Sequence, residues 1–260
     1  MSSYCLEIKT VQSSAFKILI EALKELLVDT SIEFDETGMK IISLDNSHVV
    51  LVHLKLEASK FEYYYCESKI NIGVNMLNLF KLMRTINSND TLTLFIEKND
   101  MNHLGIKIEN GDKNQKTVYK LNLLDLSNPN ITIEPTEFNS QINLPSVDFQ
   151  KIIRDMNQIA EHVEIKNINN QLILTCQGEF CSQETVLMDN EGINSISNKK
   201  IDEIVQGVFS LKYLVLFTKC TNLSSIVELF LKNDYPLITK FAVASLGHVT
   251  LALSAIANSD

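Results

Sequence analysis

The chain has 260 residues, of which 45% are hydrophobic and 21% charged, the balance of a soluble globular protein with room for two ordinary domains. No apolar run approaches the roughly 18 residues of a membrane span and no charged leader precedes an apolar stretch, so an intracellular protein without membrane association is expected. A formal charge of −9 excludes a uniformly basic phosphate-coating protein, since duplex binding is dominated by neutralised phosphates.

Taken in order, the first periodic segment covers residues 13–28, with Phe16, Leu19, Ile20, Leu23, Leu26 and Leu27 on one helical face and Ser13 or Ser14 as N-cap. Short segments rich in Val, Ile, Leu and Thr follow at 39–44, 49–56, 91–97, 104–109 and 118–123, broken by polar turns, and read as strands. A second helix falls at 74–86, carrying Met76, Leu79, Phe80 and Met83. Polar loops are expected at 99–102, 110–115 and 188–200.

Residues 122–139 form a connector. Pro129 and Pro135, with Pro145 beyond, forbid a helix, while Leu123, Leu124, Leu126, Ile131, Ile133 and Phe138 make it too apolar for a loose linker, so it should lie as an extended strap on a packed surface. Past it the pattern repeats. Residues 146–162 carry Phe149, Ile152, Ile153, Met156, Ile159 and Ala160 in the spacing of the first helix, and 209–220 echo the second through Leu211, Leu214 and Val215. Strands are expected again at 172–175, 226–231 and 237–244.

Two helices and their following strands recur at offsets of about 133 and 135 residues, which reads as two tandem copies of one structural unit. The expected fold is α+β, with two helices per copy grouped on mostly antiparallel sheet of eight or nine strands. The expected boundaries are 1–121, 122–139 for the connector and 140–260.

Each helix carries two basic residues at helical spacing: Lys17 and Lys24, Lys81 and Arg84, Lys151 and Arg154, Lys212 and Lys219. One such pair is an ordinary solvated face. Four in an acidic chain point to a cationic lane for nucleic acid, read through phosphates without base contacts, since no aromatic cluster accompanies them. No catalytic constellation is visible. Histidines 48, 53, 103, 162 and 248 are scattered and no phosphate-cradling glycine loop occurs. Asp202 and Glu203 lie in polar turn sequence. The cysteines at 5, 66, 176, 181 and 220 form no CxxC pair and read as reduced thiols. No metal and no cofactor are expected.

Several runs together resemble the eukaryotic sliding clamps, the proliferating cell nuclear antigen family: SLDNSHVVLVHLKL at 43–56, GVN at 73–75, LLDL at 123–126, FQKIIRDMNQI at 149–159, LKYLVLFTKCTNLSS at 211–225 and LGH at 246–248. The resemblance runs over essentially the whole chain and implies a non-enzymatic homotrimeric ring around duplex DNA, each subunit built from two clamp domains. It implies a processivity factor that tethers DNA polymerase and docks replication and repair proteins, is opened by a clamp loader, and works in the nucleus or in the replication compartment of a virus-infected cell.

The family's phosphate-facing residues match the eight basic positions named above, although Ile18 stands where one further basic residue occurs. Its subunit junction falls at Lys116, Thr117, Val118, Tyr119 and Lys120 on one subunit and Phe180, Cys181, Thr185 and Leu187 on the next. Its partner pocket, which takes an aliphatic and two aromatic anchors, matches Leu44, His48, Val49, Leu51, Ile131, Ile133, Phe138, Pro236, Ala252, Leu253, Ser254 and Ala255. Ala252 replaces a family tyrosine there, and the modified family lysine corresponds to Asn169. A clamp-fold accessory protein that forms no homotrimeric ring is the alternative.

Overall fold

A computed structural model of the chain describes residues 3–126, 131–168, 171–188, 194–197 and 204–256. Pro129, Asn169, Asp202 and Glu203, singled out above, lie outside the described residues. Along the chain the order strand, helix, five strands, helix, three strands occurs twice among the described residues, which is the duplication expected from the sequence. The chain divides into two compact units, the first made of Met1–Asn46, Val52–Ile131 and Ala242–Val249, the second of Ser47–Leu51, Thr132–Phe241 and Thr250–Asp260. Strands β4 (Val50–Glu57) and β18 (Gly247–Leu253) contribute residues to both.

In the first unit, β1 (Tyr4–Thr10), β5 (Tyr63–Cys66), β7 (Asp90–Glu97), β8 (Asp100–Asn110) and β9 (Gln115–Asn122) form a sheet in the order β5-β1-β7-β8-β9, every pairing antiparallel. Strand β2 (Asp29–Asp35) pairs antiparallel with both β3 (Gly38–Leu44) and β6 (Ile70–Asn75). Period-two burial drives this arrangement: Ile32 and Phe34 of β2 turn into the core while their neighbours face out. Helix α1 (Ser13–Leu23) buries Phe16, Leu19, Ile20 and Leu23, and α2 (Met76–Met83), packed beside it, buries Met76, Leu79 and Met83.

Three expectations are corrected here. Ser13 does not cap α1. Gln12 is the capping position, without a side-chain cap bond, and the buried Ser13 Oγ donates to the Asp90 carbonyl at 2.6 Å. The helix also stops at Leu23 although its apolar period runs on, because Leu26 and Leu27 stay buried in a terminal turn whose amides bond back to the Leu23 carbonyl at 3.0 and 2.8 Å. In place of the loop expected at 99–102, Glu97 opposes Asp100 across a tight turn and β8 begins at once. His103 Nδ1 lies 2.6 Å from Asp100 and Lys120 bonds both Glu97 and Asp100, so the polar residues of this stretch tie strands together.

In the second unit, β10 (Ser140–Pro145) is flanked by β14 (Asn194–Ser197) and β16 (Ile226–Leu231), and β16 pairs with β17 (Leu237–Val243). A four-stranded sheet runs in the order β13 (Ser182–Met188), β12 (Gln171–Gln177), β11 (His162–Ile168), β15 (Val205–Ser210). These pairings are all antiparallel. Helix α3 (Ser146–Met156) buries Phe149, Ile153 and Met156 and packs on α4 (Leu211–Phe217), which buries Leu211, Leu214 and Phe217.

Here too the helices are shorter than their apolar periods. The chain leaves α3 at Met156, and Thr218–Asn222 is a 3-10 turn, so Lys219 does not share the α-helix of Lys212. The expected loop at 188–200 contains β14, which the sequence did not announce because its partner β10 lies about 50 residues upstream.

Beyond Asn122, which ends β9, the connector forms no helix or strand over its described residues, only an isolated bridge between Leu124 and Gly73. It is anchored at its start, where the Leu124 amide donates to the Gly73 carbonyl at 2.8 Å and the Leu123 amide to that of Asn102 at 2.9 Å. At its end Phe138 packs on Phe230 and Tyr235, with ring centroids 5.4 and 5.7 Å away. Between these anchors Ile133 is 41% exposed, so the strap is only partly sealed to its surface.

Candidate nucleic-acid and partner surfaces

The basic residues follow from helix geometry: α-helical spacing buries the apolar stripe and leaves the long cationic side chains outside. In the first unit Lys81 and Arg84 are exposed at the end of α2, and Lys81 Nζ lies 3.4 Å from the Asn78 side-chain oxygen. Lys17 and Lys24 behave differently. Lys17 is half-buried and donates to the Ile86 carbonyl at 2.9 Å; Lys24 pairs with Glu25 and sits 4.9 Å from the Phe80 ring centroid. In the second unit Lys151, Arg154, Lys212 and Lys219 are all exposed, and among the described residues none of them is in a salt bridge.

The residues matched to a subunit junction lie on two sheet edges. Strand β9 ends the five-stranded sheet and β13 ends the four-stranded one, so each presents unpaired backbone amides and carbonyls. On β9 Lys116, Val118 and Lys120 point outward, Val118 being half exposed, while Thr117 and Tyr119 turn inward. Lys120 is already engaged, 3.3 Å from Glu97 and 3.0 Å from Asp100. On the other edge Thr185 and Leu187 turn inward from β13, Cys181 is half-buried, and Phe180 at the hairpin tip is 76% exposed. Beneath β13 a cavity of about 280 Å³ is lined by Leu144, Asp148, Lys151, Ile152, Asp155, Gln183, Thr185 and Leu187. Sequence periodicity could not announce this cavity, since it forms where an edge strand and a helix diverge.

Among the residues matched to a partner pocket, the second unit holds His48, Val49, Leu51, Ile133, Phe138, Pro236 and 252–255. Leu44 and Ile131 belong to the first, Leu44 being exposed. His48 is exposed with φ 59°, and the Ser254 amide donates to the Val49 carbonyl at 3.0 Å. Pro236 and Ala252 are half-buried, and Ser254 and Ala255 are exposed. Leu253 is a correction: strand alternation places it with Leu251 and Val249 in the core, where none of its surface is exposed. Sequence reading missed Phe230 and Tyr235, which join Phe138 in an aromatic cluster, with Lys232 Nζ 5.4 Å from the Tyr235 ring.

Two carboxylates of the first unit are strongly held. Burial alone would raise the buried Asp90 carboxyl, but bonds from the Asn87 amide at 2.8 Å and the Asn110 side chain at 2.6 Å bring it below its ordinary value. Against the cost of its own partial burial, the Thr37 hydroxyl and amide and the Lys40 ammonium take Asp35 down to about 2. All five cysteines are free thiols, three of them buried. Among the described residues no group of three or more His, Cys, Asp and Glu is gathered as a metal would require, and no helix is long and apolar enough to cross a membrane.

Residues 5–130 match the family model described as proliferating cell nuclear antigen, N-terminal domain, and residues 132–256 match that of its C-terminal domain. The chain is 37% identical over 253 residues to a probable DNA polymerase sliding clamp 1 of Paramecium bursaria Chlorella virus 1, covering 96% of each chain. It is 35% identical over 226 residues to a probable DNA polymerase sliding clamp of Acanthamoeba polyphaga mimivirus, covering 86% of this chain and 48% of that longer one. To the proliferating cell nuclear antigen of Chaetomium thermophilum it is 30% identical over 252 residues, 96% of this chain and 97% of the other.

Proposed function

The chain belongs to the proliferating cell nuclear antigen family, and we propose that it is a DNA sliding clamp that closes into a homotrimeric ring on duplex DNA and tethers a DNA polymerase to its template. One observation carries the reading. In a chain of net charge −9, six of the eight basic residues on the helices and their ends are exposed: Lys81, Arg84, Lys151, Arg154, Lys212 and Lys219. Such a lane would hold phosphate without reading bases, with affinity falling steeply as salt rises.

Ring closure rests on the open edges of β9 and β13. Strand addition between the β9 of one copy and the β13 of the next would satisfy both edges, and repetition of one heterologous contact closes when the rotation completes a circle. Partners carrying an aliphatic and two aromatic anchors would dock in the second unit around His48, Val49, Ile133, Phe138 and Pro236, each buried anchor contributing about 1.5 to 3 kcal/mol. No reaction of its own is assigned to the chain; its effect is effective concentration, holding polymerase and primer on one DNA molecule. A clamp loader and the replication compartment of a nucleus or of an infected cell complete the setting, consistent with clamp relatives from viruses and a fungus.

Light scattering on the native protein tests the assembly. A mass three times the 29.4 kDa chain is expected, and a stable monomer at micromolar concentration would replace the ring with a clamp-fold accessory protein. Reversing the charge of Lys81, Arg84, Lys151 and Arg154 together is expected to abolish polymerase stimulation on primed circular DNA while leaving that mass intact.

A further inference from the structure

Within the second unit, the segment that carries His48 is pinned on both sides. The Ser47 Oγ and the Tyr213 phenolic oxygen lie 2.6 Å apart, which ties the segment to α4, and the Ser254 amide bonds the Val49 carbonyl at 3.0 Å. Two residues on, the Ile256 amide bonds the Val208 carbonyl of β15 at 2.9 Å, and β15 leads directly into α4. His48 between these anchors has φ 59°, the left-handed region that histidine enters more readily than most residues but still seldom, and that the flanking anchors help to hold.

We propose that Tyr213 is a positioning residue for partner docking: through Ser47 its hydroxyl holds His48 in the left-handed conformation that presents the His48 ring on the rim of the docking surface. The inference rests on the docking reading above and adds a residue that does not itself touch the partner. Three facts make the hydroxyl the decisive atom. Tyr213 is half-buried on α4 and its ring lies 5.6 Å from the Lys212 ammonium, so the side chain is placed independently of Ser47. Ser47 is exposed, so its bond to Tyr213 selects one loop geometry rather than filling a core. The left-handed residue stores strain that the flanking anchors must offset.

The bond also joins the rim to the helix that carries Lys212, one of the exposed cations assigned to DNA. A rim that is ordered by its partner would therefore favour the same α4 placement that the basic side chain uses, and any such coupling is reciprocal. This is a local consequence of one bond between adjacent elements, not a path across the molecule.

The test uses the full-length protein and a synthetic peptide presenting one aliphatic and two adjacent aromatic anchors, with affinity read by calorimetry. Tyr213→Phe, which removes only the hydroxyl, is expected to weaken peptide binding about tenfold, the scale of one lost hydrogen bond with its ordering effect. Ser47→Ala is expected to weaken it at least as much, and adding Tyr213→Phe to Ser47→Ala no further, because the two variants share one interaction. Amide hydrogen exchange at 47–49 should quicken in both variants while the thermal midpoint stays within about 2 °C, a pattern that general loosening would not give. Wild-type affinity in both single variants overturns the assignment of Tyr213, as does a fully additive double variant. Failure of the unmodified protein to bind the peptide overturns the docking reading itself, and the assignment with it.

Discussion

The Lys17 ammonium donates to the carbonyl oxygen of Ile86 at 2.9 Å, fastening the middle of α1 to the turn that follows α2 across 69 residues of sequence. A cation so placed serves the packing of two helices at least as much as it serves a nucleic acid. Lys17→Met is expected to remove about 1 kcal/mol and to lower the thermal midpoint by about 2 to 4 °C. Lys151→Met, at an exposed position, should leave the midpoint unchanged while reducing the salt slope of DNA binding. Scanning calorimetry and salt titrations of DNA affinity separate the two outcomes.

Asp90 organises the end of α2. Its carboxylate takes bonds from the Asn87 amide and side chain and from Asn110, while its own carbonyl accepts from Ser13. Asp90→Ala strips three donors of their acceptor and is expected to cost about 3 kcal/mol in urea unfolding. The carboxyl lies below its ordinary value of 3.8 in the fold. Its stabilisation is therefore complete above that value and is lost as pH falls through the lowered one. Stability of Asp90→Ala should accordingly fall less steeply with acid than that of the unmodified protein.

His53 adds to the same acid sensitivity at higher pH. Burial, then the like charges of His248, Lys55 and Lys40, hold it below its ordinary 6.5. The unfolded chain therefore takes up this proton first, and stability rises with pH through that region. Urea midpoints are expected to fall on going from about pH 7.5 to 5.5, and His53→Gln should flatten that fall. An unchanged slope in the variant would assign the effect to another group.

Gly73 lets the connector approach. A Cβ there would lie 2.3 Å from the Leu124 carbonyl oxygen and 2.8 Å from the Leu126 side chain, closer than a Cβ can approach a non-bonded atom. Gly73→Ala should push the start of the connector off its bridge and destabilise the first unit by about 1 to 3 kcal/mol. Limited proteolysis is expected to cut within 123–139 faster than in the unmodified chain.

Much of this was legible in the residues because periodicity is local. Phe16, Leu19, Ile20 and Leu23 announce α1, and Phe149, Ile153 and Met156 announce α3 at the same spacing, so the duplicated order of elements is readable from the residues alone. Helix ends were less legible, since Leu26 and Leu27 remain buried in a terminal turn and keep the helical period alive past Leu23. Long-range pairing was not legible at all. Strand β14 exists through β10, and Ser47 meets Tyr213 across 166 residues. The cationic positions were found by spacing, but spacing does not tell an exposed Lys151 from a Lys17 bonded to a carbonyl.

The central claim is topological, and retention on DNA of different topology tests it most directly. Labelled protein loaded onto a closed circular duplex by a clamp loader and ATP is expected to remain bound through a high-salt wash and to be lost within seconds once a restriction enzyme opens the circle. Equal retention on circular and linear DNA, or release from both at high salt, would contradict a ring threaded by its template.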